Sequence, residues 1–262
     1  ERRKRLSGCF DGRNEGSLGM RILILEWPAL GNSDICESLR RMGHETEYIS
    51  FSEEKDTTEI FESRLRDSLR KKTAEALFSF NYFPVVSECC NAVGLRYISW
   101  VYDSPYINIY SYTVLNEVNS IYVFDYGVYE EFRNNNIPTV RYMPLGINVE
   151  RYLKIKITPD IKTKYGADIS FVGSLYTEKK HDLYSKFDSI SEEGRGYLDA
   201  VIRSQMNIYG GNILEDLLTE SVFAEMETAY PTNPDSPFAM SPRKLYAEYV
   251  LSRKVTSLER QE

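Results

Sequence analysis

Three places in the chain set hydroxyl-binding groups directly behind an apolar run: Asn81-Tyr82-Phe83, Asp103-Ser104-Pro105 and Asp125-Tyr126. Carboxylates and amides accept hydrogen bonds from hydroxyl groups, amides also donate them, and an aromatic face packs against the apolar side of a saturated ring. In open α/β sheets ligands bind outside the carboxyl ends of the strands. The hydroxyl-binding candidates are therefore Asn81, Tyr82, Asp103 and Ser104, with Asp103 the best candidate for a catalytic base. The same residue types also serve as turn devices, because Asn and Asp side chains bond to the backbone two residues on. Other chemistries lack their groups. The histidines are His44 and His181, and the cysteines Cys9, Cys36, Cys89 and Cys90 have neither zinc-knuckle nor thioredoxin-type spacing. A Ser/His/Asp triad and a His-rich metal centre are thus not expected, and no metal site is assigned. His44, after Gly43 at a helix-to-strand junction, reads as structural; His181 reads as a solvated helix residue.

The elements that must position these groups follow from apolar periodicity. Ile22-Leu23-Ile24-Leu25 reads as a buried strand; Asn32, Ser33 and Asp34 then offer helix caps, Ile35, Leu39 and Met42 recur at helical spacing, and Gly43 supplies a stop. A strand is expected over 46–51, an amphipathic helix over 57–72 carrying Phe61, Leu65 and Leu69, and a third strand over 76–80. Pro84 suits the first turn of a helix that closes at Gly94. Further strands are expected over 97–102, 121–124 and 139–143, with a helix opening at Val128. Strands alternating with helices predict the α/β class and a Rossmann-like, doubly wound parallel sheet over residues 20–148. Ile24, Phe78, Ile98, Trp100, Ile121 and Val123 are expected in its strands. Such a sheet is expected to place its third and fourth strands on opposite sides of the first, so that Asn81 and Asp103 bracket a crevice.

With 262 residues, 42% hydrophobic and 27% charged, the chain has the composition of an ordinary globular protein large enough for two domains. A formal charge of -7 argues against a nucleic-acid partner, which calls for a basic stripe. No apolar run is long enough to span a membrane, and a cytoplasmic location is expected, with adjacent Cys89 and Cys90 reading as small helix residues in a reducing compartment. Residues 1–19, basic and then glycine-rich, read as a leader outside the fold. The polar stretch over 149–166, with Lys154, Lys156, Lys162 and Lys164, reads as a linker. Asp168-Ile169-Ser170-Phe171-Val172 then reads as the opening strand of a second unit over 167–262, followed by helical segments over 197–206, 213–218 and 243–251. One strand makes no sheet, so this second unit reads as cut short. Most of the tyrosines, Tyr102, Tyr106, Tyr110 and Tyr112 among them, read as packing residues with a polar tip.

The segments RILILEW, SFNYFPVVSECCNAVGLRYISWVYDSP, YMPLGINVERY and DISFVGSLYTEKK, taken in this order, resemble the spore-maturation CgeB-like glycosyltransferase family. The resemblance covers about residues 20–190, and FNYFP and WVYDSP are its most specific parts. It implies a GT-B architecture of two Rossmann-like domains, the first holding an acceptor, which is a glycan or protein, and the second a nucleotide-sugar donor. The nucleotide sugar is a substrate, so no cofactor is implied. Many such enzymes follow the first strand of the second domain with Gly-Arg-Leu, two residues and Glu-Lys-Gly. Here Gly173 and Lys179 match, whereas Ser174 replaces the arginine and Lys180 the last glycine. Gly173, Ser174 and Lys179 are accordingly the donor-binding candidates: glycine permits close backbone approach, a helix amino terminus favours anions and lysine neutralises phosphate. Loss of the arginine weakens a diphosphate clamp. The alternative is a non-catalytic glycan-binding or spore-coat-associated protein that keeps the same fold.

Overall fold

The run RILILE forms strand β1 (Arg21–Glu26), buried at every position but its last, the pattern of a strand covered on both faces. In the computed structural model, which describes residues 19–173, 183–231 and 241–261, it belongs to a six-stranded sheet ordered β2-β1-β3-β4-β5-β6. The other strands are β2 (Glu45–Ser50), β3 (Ala76–Phe80), β4 (Arg96–Val101), β5 (Asn119–Val123) and β6 (Val140–Tyr142), and every neighbouring pair is parallel. The fold is α/β with a Rossmann-like doubly wound sheet, and all six strands lie within three residues of where periodicity places them. Ile24, Phe78, Ile98, Trp100, Ile121 and Val123 are all in strands.

The chain divides into two units: the first runs to Tyr102 and resumes over Asn116–Asn148, the second comprises Asp103–Leu115 and the residues from Val149 onward. In the first unit, helix α1 (Asn32–Arg41) packs Cys36, Ile35 and Leu39 on the face made by Ile22, Ile24, Phe78 and Phe80. Helices α2 (Thr58–Lys71), α3 (Pro84–Val93) and α4 (Tyr126–Asn134) lie on the opposite face. There Ser87 Oγ of α3 donates to Asn119 Oδ1 of β5 at 2.9 Å. Local chemistry sets the helix limits. Thr57 Oγ1 accepts from the Ile60 N–H to start α2, Pro84 occupies the first turn of α3, and Gly94, at φ 66°, closes it in the left-handed region that glycine adopts without strain.

The strand order corrects one topological expectation. β3 and β4 are neighbours on the same side of β1, paired from Ala76 with Arg96 to Phe80 with Trp100, so they do not bracket the first strand. The connection reverses between β2 and β3 instead, which makes the β1/β3 boundary the switch point, as in the 2-1-3-4-5 order. The amino edge of the sheet is closed by charge: Arg21 is buried, its guanidinium donating to Glu47 Oε2 at 2.6 Å and to the Thr73 carbonyl at 3.1 Å, while Lys72 pairs with Glu45. His44 sits on this edge, its Nδ1 accepting from the Met20 N–H at 3.2 Å, in keeping with a structural role.

The second unit is helical among the described residues. Its helices include α5 (Val149–Leu153), α6 (Pro159–Tyr165), α7 (Glu192–Met206) and α8 (Glu220–Ala229), followed by a run in which Pro242–Lys244 and Ser252–Glu259 flank a π-wound Leu245–Leu251. Its core gathers Phe187, Leu198, Ile202, Met226, Tyr246 and Leu251. Three expectations fail here. The run 168–172 forms no strand, since no neighbour offers it a ladder among the described residues, and Ile169, Phe171 and Val172 are exposed. Residues 213–218 make turns rather than a helix. The expected linker over 149–166 contains α5 and α6, the latter opened by Thr158, whose Oγ1 accepts from the Ile161 N–H, with Pro159 behind it.

Candidate functional site

The switch point lies where the segment after β1 (Trp27 to Gly31) and the segment after β3 (Asn81 to Phe83) diverge. Aromatic rings fill it. Trp27 lies nearly parallel to Tyr102 at 6.4 Å between centroids and edge-on to Phe83 at 5.1 Å; Phe80 stacks on Trp100 at 5.8 Å and meets Tyr102 edge-on at 5.6 Å. Gly31, immediately before α1, passes so close to this layer that a β-carbon there would stand 2.5 Å from the Phe80 ring. A side chain at this position would force the Phe80 ring or the connection to shift. The strap over 143–148 crosses the same face: Gly146 rests on Trp100, and the buried Asn148 donates through Nδ2 to both Asp34 Oδ1 and Glu37 Oε2 of α1 at 3.1 Å.

Three polar atoms in this layer are buried and make no hydrogen bond within the protein: Nε1 of Trp27, Nε1 of Trp100 and Oδ1 of Asn32. Asn32 is oriented by its other end, Nδ2 donating to the Trp27 carbonyl at 3.2 Å. Buried polar groups are nearly always paired, and each exception calls for an explanation such as ordered water, strain or a ligand; Arg21 Nε, Thr46 Oγ1 and Ser99 Oγ are exceptions outside this layer. All three atoms of this layer are closed to solvent, whereas Trp27, Trp100 and Tyr102 are each half-buried and present part of a ring to the surface. Positive charge is missing: no Lys or Arg occurs in 26–34, 80–84, 100–102, 124–129 or 143–148, whereas Glu26, Asp34 and Asp125 do. An anionic group would meet no cation at these strand ends.

Of the acceptor-binding candidates in this unit, Asn81 and Tyr82 are built into the fold. Asn81 is buried in the left-handed region at φ 56°, its N–H donates to the Trp100 carbonyl at 2.9 Å, and its Oδ1 accepts from the Tyr102 N–H at 3.1 Å. This is the turn-device role: an asparagine that tolerates φ > 0 and ties the end of β3 to β4. Tyr82 is fully buried against Tyr97 with ring centroids 5.7 Å apart, and its hydroxyl accepts from Asn119 Nδ2 at 3.4 Å. Tyr97, also fully buried, shares its hydroxyl with Ser79 Oγ at 2.7 Å and accepts from the Phe83 N–H at 3.1 Å. Burial drives its phenol well above the ordinary tyrosine range. Neither Asn81 nor Tyr82 is therefore offered to a ligand as the sequence suggests. Burial likewise pushes the Cys89 thiol up to about 12 and raises Cys90 further, making both packing residues rather than nucleophiles.

In the second unit Asp103 and Ser104 are exposed at its first residues, and Gly173 is exposed at the end of the stretch after α6. Ser174, Lys179 and His181 lie outside the described residues. Asp125 caps α4, its Oδ1 accepting from Gly127 N at 2.9 Å and Val128 N at 3.3 Å. Trp27, Gly31 and Asn32 were missed by residue type alone, because their place depends on which strand neighbours β1. A tryptophan directly behind a buried strand and ahead of Gly-Asn-Ser was the available signal, although none of the expected caps Asn32, Ser33 and Asp34 caps α1 with its side chain. In comparisons with protein-family models, curated proteins and solved structures, no match is found.

Proposed function

We propose that this protein is a nucleotide-sugar-dependent glycosyltransferase of the hexosyl-transferring type, with the carboxyl edge of its first unit holding a hydroxylated acceptor. The observation that carries this reading is the chemistry at the switch point: half-buried aromatic faces, presented in part to the surface, and no cation. Such a surface suits a neutral ring bearing hydroxyls and disfavours a diphosphate. The resemblance of FNYFP and WVYDSP to the CgeB-like group supports the same assignment. The donor diphosphate would be held elsewhere, by Gly173, Ser174 and Lys179. In the transfer, an acceptor hydroxyl oxygen bonds to the anomeric carbon as the bond from that carbon to the diphosphate oxygen breaks. The nucleoside diphosphate departs with the electron pair, and the hydroxyl proton passes to a carboxylate, the role proposed for the exposed Asp103.

A panel of UDP- and GDP-activated hexoses incubated with oligosaccharide acceptors, read as acceptor-dependent release of nucleoside diphosphate, tests this function. Release that rises with acceptor is expected. Binding of sugars with no release from any pair would end the transferase reading and leave the non-catalytic glycan-binding one. That second reading is favoured by Ser174 standing where the family pattern has its diphosphate-clamping arginine.

A further inference from the structure

Tyr126, Tyr129 and Tyr142 pack ring against ring at the carboxyl ends of β5 and β6, with centroids 5.4 to 6.1 Å apart. They do so at the surface: Tyr126 is 51% and Tyr142 43% exposed. Tyr142 is in register with Val123, so it lies on the α4 face of the sheet, opposite the face that carries Trp100. Asp125 fixes the start of α4 and so places Tyr126 at its first position. The packing of the three rings is thus set by the strand register and the helix cap.

We infer that these tyrosines form a second sugar-stacking subsite, so that the acceptor is an oligosaccharide rather than a free monosaccharide. This rests on the proposed carbohydrate-binding role of the first unit. Three phenol rings present apolar faces edged by hydroxyls, which matches the alternating C–H and O–H surface of a sugar ring. Tyrosine is also common in protein interfaces, and a protein occupant is therefore one of the outcomes of the test. The β5/β6 boundary stands three strand spacings from the β1/β3 boundary, about 14 Å along the sheet at roughly 4.8 Å per spacing, and the tyrosines lie on the other face, so a chain of about four or more sugar rings is needed to span both. An oligosaccharide with one end at the switch point would pass obliquely over the strand ends to the tyrosines.

Both tryptophans of the chain, Trp27 and Trp100, are at the switch point, so tryptophan fluorescence reports binding there and not at the tyrosines. The experiment titrates glucose, N-acetylglucosamine and mannose and their linear oligomers, up to about six rings, into wild type and the double variant Tyr126→Ala/Tyr142→Ala. For the sugar that binds, wild-type affinity is expected to rise with length and then level off. The double variant is expected to keep the monosaccharide affinity and lose about tenfold for the longer oligomers. The same length dependence in both proteins overturns the subsite, whether or not the switch point binds sugar. A fluorescence response to no sugar of any length removes the carbohydrate reading itself, and the subsite with it. A wild-type chain that ignores sugars but retains a peptide partner through these tyrosines would assign the patch to protein recognition. Circular dichroism of the double variant checks that it is folded.

Discussion

In the first unit every residue of β3 is buried, whereas in the second unit Val149, Leu153, Ile155, Ile157, Ile169 and Val172 are all more than half exposed. Both stretches are apolar, through Leu77, Phe78 and Phe80 in β3 and through valines, isoleucines and a leucine in the second unit, so hydrophobicity alone does not separate them. What differs is neighbours. β3 has β1 and β4 on its two edges and helices over its two faces, while the run over 168–172 has no ladder among the described residues. Apolar residues become a core only when the backbone beside them is also satisfied, and a strand cannot supply its own edge partners. The two units also differ in what they carry: the segments behind β1, β3 and β4 hold aromatics and amides without cations, Lys55 and Arg64 standing behind β2, and the stretch over 149–166 presents Lys154, Lys156, Lys162 and Lys164.

The sharpest way to break this comparison is a matched pair of truncations. Leu77→Ala, in the middle of β3 and fully buried, should lower stability by about 2 to 5 kcal/mol, the lost transfer energy plus the cavity. Ile157→Ala, 78% exposed, should change it by less than about 0.5 kcal/mol. Urea midpoints at constant slope read both. A large loss at Ile157 would show that this stretch is covered in solution. A smaller effect is expected one layer from the switch point, at Tyr97→Phe. Its hydroxyl binds Ser79 Oγ and the Phe83 N–H, so its removal leaves a buried donor unpaired and should cost about 1 to 3 kcal/mol. Because Phe83 touches Trp27, near-ultraviolet circular dichroism of the aromatic layer should change as well.

The regular part of the fold was legible because its signals are local. Thr57 as a cap, Pro84 at a first turn and Gly94 in the left-handed region each fix an element end from a few residues. The strand order was not legible, since nothing in RILILE or ALFSF states which strand lies beside which; β3 and β4 therefore came out adjacent rather than flanking β1. That one non-local fact puts Trp27 and Asn32 behind β1, next to the end of β3, where Asn81 is taken up by the turn. Asn81 shows the limit from the other side: its residue type suits both a ligand and a left-handed turn, and only its 3.1 Å bond to the Tyr102 N–H separates the two. The start of α6 is legible in Thr158-Pro159-Asp160, whereas the apolar residues around it have no helical period to extend the signal.

Electrostatics within the first unit gives a prediction of intermediate size. Asp56 takes a two-pronged bond from Arg64, at 2.8 and 2.9 Å, and one from the Ser52 N–H, also at 2.9 Å. The Arg64 bond, more than the Ser52 bond, holds its carboxyl below the ordinary value of 3.8. A depressed carboxylate contributes stability that is fully present above its unfolded pKa and lost as pH falls through its folded one. Asp56→Asn should therefore be less stable than wild type by about 1 kcal/mol at neutral pH, a modest amount because Arg64 is partly solvated. The gap should hold down to about pH 5 and close below the ordinary carboxylate range. A gap that stays constant into strong acid would mean that the loss comes from packing and not from the ion pair.

The smallest expected effect on stability sits where the chain passes from one unit to the other. β4 ends at Val101, Tyr102 still belongs to the first unit, and Asp103, exposed, opens the second. If Asp103 serves only to turn the chain, asparagine replaces it with little loss, since the two residues cap and turn almost equally well. Asp103→Asn should thus keep its urea midpoint, with a change below about 0.5 kcal/mol. Asparagine retains the shape and the acceptor oxygen but cannot take a proton. Under the proposed reaction the variant should bind sugar at the switch point with unchanged tryptophan response, while nucleoside diphosphate release falls by about tenfold or more, the equivalent of roughly 1.4 kcal/mol of lost transition-state stabilisation. A variant that folds, binds and releases at the wild-type rate would return Asp103 to the class of Asn81, a residue whose polarity serves the turn. A variant that loses binding together with release would make Asp103 an acceptor contact rather than the base.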